Sequence, residues 1–202
     1  MEMTVHIVDD DALIRLTLEQ VFRSAGFATH AYASADAFLN CQICTDNSCL
    51  ILDLRMPSNS GLWLHAELRN RGIDLPVIIY TGNADVDVAV KLMSEGAYTL
   101  LQKPMSNELL IQKVQEAIQS HQQAQHRLQP VREAQRQLQK LSAREYQIAQ
   151  LLADGRSAPD IGERLHLSPR TIEAHRARIL DKLEIRSVAR LAKLVALADA
   201  AD

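Results

Sequence analysis

Short apolar runs alternate with longer amphipathic segments along the first half of the chain. The four clearest runs are Thr4 to Val8, Cys49 to Leu52, Leu75 to Tyr80 and Tyr98 to Leu101. Runs of this length, rich in Val, Ile and Leu and separated by helical segments, are typical of buried parallel strands in successive βαβ units. The pattern therefore predicts an α/β domain built on a parallel sheet.

Polar side chains follow each of these runs. They are Asp9 and Asp10, Asp53, Thr81 and Lys103. The ligand crevice of an open α/β sheet lies outside the carboxyl ends of its strands, so we expect these side chains in one pocket. Crowded carboxylates repel unless a cation or protons intervene, and their hard oxygens suit Mg²⁺. A carboxylate can also attack a phosphoryl group, whose charge a metal and a Lys stabilise, so the pocket indicates phosphoryl transfer.

The motifs around these residues resemble the receiver domain of bacterial two-component response regulators. The matching motifs are residues 8–11 (VDDD), 52–57 with 60–61 (LDLRMP and SG), 80–82 (YTG), 96–97 (GA) and 102–104 (QKP). The resemblance implies a flavodoxin-like, doubly wound, five-stranded parallel sheet over residues 1–120. Five ordered motifs are far more specific than any one of them.

The resemblance also assigns roles to the pocket residues. It implies that Asp53 is the phosphoacceptor and that Mg²⁺ is the cofactor. Asp10 would be a direct metal ligand, Asp9 would act largely through water, and Arg55 would contribute its carbonyl oxygen. Thr81 would be the switch hydroxyl and Lys103 the phosphate-binding cation.

Several neighbouring positions carry separate expectations. Asp11 is interpreted as the N-cap of the following helix. The receiver family usually has an aromatic residue where this chain has Leu100. Strand alternation would place Tyr98 on the same face as Leu100, so Tyr98 or Tyr80 is a candidate replacement. The alternative is a switch through backbone shifts and the helix predicted over about residues 85–95. Arg55 and Asn83 are expected to influence the lifetime of the phosphoryl group.

Charge divides the chain into two parts. Residues 1–120 hold 8 Lys and Arg against 15 Asp and Glu, whereas residues 121–202 hold 14 against 10. An acidic first part and a basic second part indicate different partners. No apolar stretch is long enough to span a bilayer, and Met1 leads into a predicted strand without a signal-peptide pattern. We therefore expect a cytoplasmic protein with no membrane partner.

The cysteines are interpreted as free thiols. Cys41 and Cys44 have the spacing of a redox or metal-binding pair, but neither a second pair nor a nearby His completes a zinc set. Cys49 opens an apolar run, as a small core residue does.

A helical segment rich in Gln, Ala, Arg and Glu predicts a linker over residues 121–140. Pro130 is expected to kink or interrupt it. A heptad seam, weakened at His121 and Gln135, passes through Leu110, Val114, Ala117, His121, Ala124, Leu128, Val131 and Leu138. A solvated spacer and a dimerising helix both fit this seam, and we favour the spacer.

Residues 141–202 predict an all-α domain of four helices. Ser142 with Glu145 and Ser157 with Asp160 begin the first two, and Ser168, followed by Pro169, begins the third. The fourth is expected over about residues 187–198, and Gly155 is expected just after the end of the first. A tight turn at residues 166–167 makes the second and third helices a helix-turn-helix.

The third helix separates into two faces. At 100° per residue, Ile172, Ile179 and Leu183 form the packed face. Small side chains on the opposite face allow close approach to base edges, while Arg and Glu can read G and C, and other polar residues are placed for phosphates. The predicted DNA-contacting residues are Arg170, Thr171, Glu173, Ala174, Arg176, Ala177, Arg178 and Lys182.

This second pattern resembles the LuxR-type DNA-binding domain. The matching segments are 141–145 (LSARE), 161–165 (IGERL), 168–175 (SPRTIEAH), 178–179 (RI), 182–183 (KL) and 186–187 (RS). With the receiver motifs, the chain resembles a FixJ-type response regulator over nearly its whole length. The resemblance implies a sensor histidine kinase as partner, homodimerisation on phosphorylation and binding to double-stranded promoter DNA, with base reading at Glu173, Ala174 and Ala177. RNA polymerase is a further candidate partner.

Two alternative functions remain open on the sequence. A receiver that has lost its switch would leave a constitutive DNA-binding factor, an interpretation motivated by Leu100. A receiver with rapid turnover would act as a phosphoryl sink for the kinase. Receiver chemistry includes self-catalysed phosphoryl transfer and hydrolysis, but we do not class the chain as an enzyme.

Overall fold

A computed structural model describes residues 2–57, 60–82 and 85–200. The chain forms two compact units, Met1–Gln123 and Ala124–Asp202. The first unit has an apolar core on each face of its sheet, and the second has one helical core. Within the described ranges, no helix is both long and apolar enough to cross a membrane.

The first unit is built on a five-stranded parallel sheet with the strand order β2-β1-β3-β4-β5. The strands are β1 (Thr4–Val8), β2 (Ala28–Tyr32), β3 (Ser48–Leu52), β4 (Val77–Thr81) and β5 (Thr99–Gln102). This is the flavodoxin-like order of a doubly wound fold, so the predicted fold class is confirmed. Strands β1, β3 and β4 are buried along their whole length because helices cover both faces.

Five helices belong wholly or partly to the first unit. They are α1 (Ala12–Ser24), α2 (Ala35–Leu39), α3 (Gly61–Asn70), α4 (Val86–Ser94) and the first part of α5 (Asn107–Leu138). One core contains Phe22 of α1 and Val114 of α5, and the other contains Phe38, Leu64 and Leu92 of α2, α3 and α4. Asp11 accepts hydrogen bonds from the first turn of α1, which confirms its prediction as an N-cap.

The prediction for Tyr98 is wrong. Strand β5 begins at Thr99, so Tyr98 precedes the strand and does not follow its alternation. Tyr98 packs against the core that contains Phe22, whereas Leu100 packs against the core that contains Phe38. The two side chains therefore lie on opposite faces of the sheet.

Helix α5 continues through Pro130, so the predicted interruption does not occur. Leu110, Val114 and Ala117 are buried in the first unit, and Leu138 is buried in the second. These residues pack inside their own units, so the heptad seam is not one continuous dimer surface. A separate linker over residues 121–140 stays a prediction.

The second unit is helical, as predicted. Its helices after α5 are α6 (Ala143–Ala153), α7 (Ala158–Leu165), α8 (Pro169–Lys182) and α9 (Val188–Asp199). Both predicted capping boxes form, and Ser168 caps α8. Between α7 and α8, His166 adopts a left-handed conformation with φ 56°. Gly162 permits this tight turn, because a Cβ there would lie only 2.6 Å from the carbonyl oxygen of Leu167.

Candidate functional site

The carboxyl ends of β1, β3, β4 and β5 bring the predicted pocket residues together. Asp9, Asp53 and Thr81 are buried, Asp10 is exposed and Lys103 is half-buried. These five residues line one cleft of about 380 Å³, together with Asp11, Ile14, Arg55 and Gly82. Asn83, the other predicted neighbour, lies outside the described residues.

Backbone pairing fixes the ends of these strands. The amide of Asp53 donates to the carbonyl of Val8 at 2.9 Å, and the amide of Lys103 donates to the carbonyl of Thr81 at 2.9 Å. The parallel pairing therefore continues one residue beyond each strand. As a result, the side chains of Asp53 and Lys103 both begin at hydrogen-bonded ends of the sheet.

Lys103 joins two of the buried carboxylates. Its Nζ lies 2.6 Å from Oδ2 of Asp9 and 3.4 Å from Oδ1 of Asp53. Burial raises the pKa of Asp9 above its ordinary value, although the hydrogen bond from Lys103 opposes this shift. Burial alone would lower the pKa of Lys103, but the neighbouring carboxylates outweigh it and the pKa is raised. The pocket therefore holds a protonated ammonium at neutral pH.

The acidic residues fit a hard divalent cation. One carboxylate oxygen from each of Asp9, Asp10 and Asp53 lies within 4.8 Å of the others. Mg²⁺ binds oxygen at about 2.0–2.1 Å, so two of its ligands are at most about 4.2 Å apart. Small side-chain rotations would close that difference. Among the residues that the structure describes, this is the only cluster of three potential metal-binding side chains.

Two residues without a predicted role help to build the pocket. Arg15 donates from its guanidinium to the carbonyl of Asp9 at 2.7 Å, which anchors the turn before α1. Gly61 begins α3 directly against the backbone of Asp53 and Leu54. A Cβ there would collide with the carbonyl oxygen of Asp53 and lie 2.9 Å from Cα of Leu54. Glycine was visible in the motif, but only the backbone packing reveals its function.

Thr81 carries an unsatisfied hydroxyl. The residue is 1% exposed, and its Oγ1 has no hydrogen-bond partner among the protein groups that the structure describes. A buried hydroxyl without a partner costs about 1–3 kcal/mol. The pocket therefore contains a donor for an oxygen that would arrive at Asp53.

Helix α8 presents the predicted DNA-contacting surface to solvent. Ile172, Ile179 and Leu183 are buried in the core of the second unit, as predicted. The exposed residues of the predicted set are Arg170, Glu173, Ala174, Ala177, Arg178 and Lys182, and the half-buried ones are Thr171 and Arg176. The small alanines therefore lie where a base edge can approach.

Two of the predicted cations already have carboxylate partners. The guanidinium of Arg176 lies 3.3 Å from Glu173, one turn away. Nζ of Lys182 donates to Oε2 of Glu145 at 2.7 Å. The hydrogen bonds from Lys182 and from the Ser142 backbone lower the pKa of Glu145 to about 2. A phosphate contact by Lys182 would have to compete with Glu145, a partner 37 residues away in sequence.

Cys41, Cys44 and Cys49 form no disulfide in the part of the chain that the structure describes. Cys49 is fully buried in β3, and burial raises the pKa of its thiol. Cys41 and Cys44 are exposed.

Comparison with known proteins agrees with this architecture. Residues 5–115 match the response regulator receiver domain, and residues 139–195 match the bacterial regulatory proteins of the luxR family. The chain belongs to the response regulators. It combines a receiver domain with a LuxR-type DNA-binding domain and regulates transcription, so the predicted family is confirmed.

Two relatives are similar to this chain over nearly its whole length. The chain is 34% identical to the transcriptional regulatory protein FixJ of Azorhizobium caulinodans over 199 residues, which cover 98% of this chain and 94% of that protein. It is 37% identical to the C4-dicarboxylate transport transcriptional regulatory protein DctR of Rhodobacter capsulatus, covering 96% of this chain and 100% of that one.

Solved structures of response regulators are also similar. The response regulator StyR matches with a TM-score of 0.79 at 31% identity, covering 96% of this chain and 98% of that one. Full-length FixJ from B. japonicum matches with a TM-score of 0.58 at 30% identity, covering 99% of this chain and 98% of that one.

Proposed function

We propose that a partner histidine kinase phosphorylates Asp53, and that phosphorylation controls dimerisation and sequence-specific DNA binding by this response regulator. One observation carries the proposal. The Asp53 carboxylate shares a cleft with the Lys103 ammonium, the carboxylates of Asp9 and Asp10, and the buried hydroxyl of Thr81. Each group matches a need of phosphoryl transfer: a nucleophile, a fixed cation, metal ligands and a hydrogen-bond donor.

In the transfer step, an oxygen of Asp53 attacks the phosphorus of a phosphohistidine. An O–P bond forms while the P–N bond breaks, and the imidazole of the kinase leaves. Lys103, whose Nζ lies 3.4 Å from Oδ1 of Asp53, stabilises the negative charge of the transferring group. Asp9, Asp10, Asp53 and the carbonyl of Arg55 would hold Mg²⁺, which neutralises charge on the phosphoryl oxygens when bound.

The switch begins at Thr81. A phosphoryl oxygen on Asp53 would accept a hydrogen bond from Oγ1, which ends the cost of an unsatisfied buried group. That gain exists only in the phosphorylated state, so it can shift a conformational equilibrium. The N-cap residue of α4, Asp85, makes no side-chain capping bond, which leaves that helix end weakly fixed.

Helix α4 offers a surface for dimerisation. Val86, Val90 and Met93 are 77%, 64% and 46% exposed and recur at helical spacing. A stripe of this kind favours association when a rearrangement makes the surface complementary to a second copy. Two joined DNA-binding domains then hold two half-sites, and effective concentration multiplies a weak single-domain affinity.

At the DNA, α8 would enter the major groove. Glu173, Ala174 and Ala177 would face base edges, and Arg170, Thr171, Arg176, Arg178 and Lys182 would supply further base and phosphate contacts. The excess of Lys and Arg in residues 121–202 supports this role.

Solution mass tests the proposal. We would measure it by light scattering, with and without beryllofluoride plus Mg²⁺ as a phosphoryl mimic. We expect a monomer that becomes a dimer, and no shift for Asp53→Ala. A dimer under all conditions would contradict the switch and favour constitutive DNA binding.

A further inference from the structure

Tyr80 lies beside the cation of the phosphorylation pocket. Nζ of Lys103 is 5.5 Å from the centroid of the Tyr80 ring. This is within the range of about 6 Å in which the face of an aromatic ring attracts an ammonium. The same nitrogen also contacts Asp9 and Asp53, so the Lys103 ammonium lies between two carboxylates and the Tyr80 ring.

The sheet fixes the ring. Tyr80 is 7% exposed and belongs to the core that also contains Phe22 and Val114. It pairs with Leu101 of β5, and the Lys103 amide bonds to the residue that follows Tyr80 in β4. Both the ring and the start of the lysine side chain are thus attached to the same two paired strands. A packed core permits little movement of the ring.

The ring supplies something that the carboxylates do not. A lysine ammonium has three N–H donors on a flexible four-carbon stem. The hydrogen bond to Asp9 and the ion pair with Asp53 must be exchanged when a phosphoryl oxygen arrives. Attraction to the ring face takes no acceptor oxygen and depends weakly on the rotation of the ammonium. The contact with Tyr80 can therefore persist while the hydrogen-bond partners of Lys103 change.

We propose that Tyr80 is a positioning residue for Lys103. Its ring holds the ammonium beside Asp53, so an incoming phosphoryl group meets a cation that is already in place. Preorganised charge of this kind stabilises a transferring group without reorganisation at the moment of reaction. This inference rests on the proposed role of Asp53 as phosphoacceptor.

Tyr80 and Thr81 also connect two parts of the site. They are the last two residues of β4, and their side chains point to opposite faces of the sheet. The strand end thus positions the cation through Tyr80 and presents the hydroxyl through Thr81. A displacement of this strand end would therefore move the Tyr80 ring and the Thr81 hydroxyl together.

The test is the affinity of the full chain for beryllofluoride with saturating Mg²⁺, measured by calorimetry. Because an ammonium–ring contact is worth about 0.5–2 kcal/mol, Tyr80→Leu should weaken binding by about two- to thirtyfold. Tyr80→Phe should bind within about twofold of the wild type, since it retains the ring. Phenylalanines with increasing numbers of ring fluorines at position 80 should weaken binding stepwise, because fluorine withdraws charge from the ring face without removing its bulk.

A double-mutant cycle separates positioning from packing. In a Lys103→Gln background, the Tyr80 variants should bind beryllofluoride with the same affinity as one another. Equal losses with and without Lys103, or a flat fluorine series, would overturn the role of Tyr80 while leaving Asp53-dependent binding intact. Failure of the wild type to bind in an Asp53-dependent way would instead overturn both proposals. Thermal unfolding of each variant checks that it is folded at the assay temperature.

Discussion

Folding stability and signalling make opposite demands on the side chain of Thr81. Its hydroxyl is buried and has no hydrogen-bond partner among the described protein groups, an arrangement that costs stability unless a further group satisfies it. The same hydroxyl is the group proposed to detect the phosphoryl oxygen. Stability would favour an apolar side chain at this position, whereas the proposed switch requires the hydroxyl that the protein has.

This conflict gives a prediction for Thr81→Val. The substitution removes an unsatisfied polar atom from a buried site, so the free energy of unfolding should rise by about 1 kcal/mol. Denaturant titration measures this change. The same variant should fail to dimerise with beryllofluoride, because the donor is gone. Thr81→Ser, which keeps the hydroxyl, is the matched control. Full dimerisation by Thr81→Val would contradict a switch through this group.

At the scale of elements, caps organise the second unit. Ser142, Ser157 and Ser168 each begin a helix by accepting a backbone hydrogen bond, and the tight turn between α7 and α8 follows. Glu145 completes the first cap and also binds Lys182 from α8. One carboxylate thus joins the start of α6 to the end of α8.

The Glu145 carboxylate predicts a pH dependence. Its pKa is lowered from the usual 4.5 to about 2, so folding favours the charged form. The resulting stability is fully present above about pH 4.5 and is lost as the pH falls toward about 2. We expect the free energy of unfolding of the wild type, followed by its helical signal, to fall over this range more steeply than that of Glu145→Gln. Denaturant titrations at several pH values would measure it. Glu163→Gln, at an exposed position of α7, is the control and should behave like the wild type.

Local patterns predicted most elements, and the misses have physical causes. Strand β2 gave no clear apolar run because it lies at a sheet edge and is only half-buried, with Thr29 and His30 in its middle. Strand β5 begins at Thr99, so strand alternation applied from Tyr98 predicts the wrong face of the sheet for that residue. Motifs identified the pocket residues, since each follows a strand. The contacts of Lys182 with Glu145 and of Lys103 with Tyr80 depend on tertiary packing, so spacing along the chain could not reveal them.

At the scale of the whole molecule, the proposed function requires the first unit to change how two copies of the second meet DNA. The α4 stripe is the candidate surface for that communication between copies. Contact between these apolar side chains and water is unfavourable in a single chain, and association would remove them from water.

A charge on this stripe should separate phosphorylation from assembly. Val90→Asp should bind beryllofluoride as tightly as the wild type but remain a monomer in light scattering, because a carboxylate would be buried in the dimer. Its affinity for promoter DNA should then stay at the level of the unmodified protein. Leu16→Asp on α1 is a matched control, since Leu16 and Val90 are both 64% exposed. Normal dimerisation of Val90→Asp would move the dimer surface elsewhere.

The close approach of α3 to Asp53, the proposed phosphoacceptor, has a practical consequence. Gly61 contacts the backbone of Asp53, and the single tryptophan of the chain, Trp63, lies two residues further along the same helical turn. Trp63 is 38% exposed, at a boundary between protein and water where indole emission is sensitive to nearby charge. Trp63 therefore lies in the first turn of the helix that begins against the Asp53 backbone, and we expect stopped-flow fluorescence of unlabelled protein to time events in the pocket.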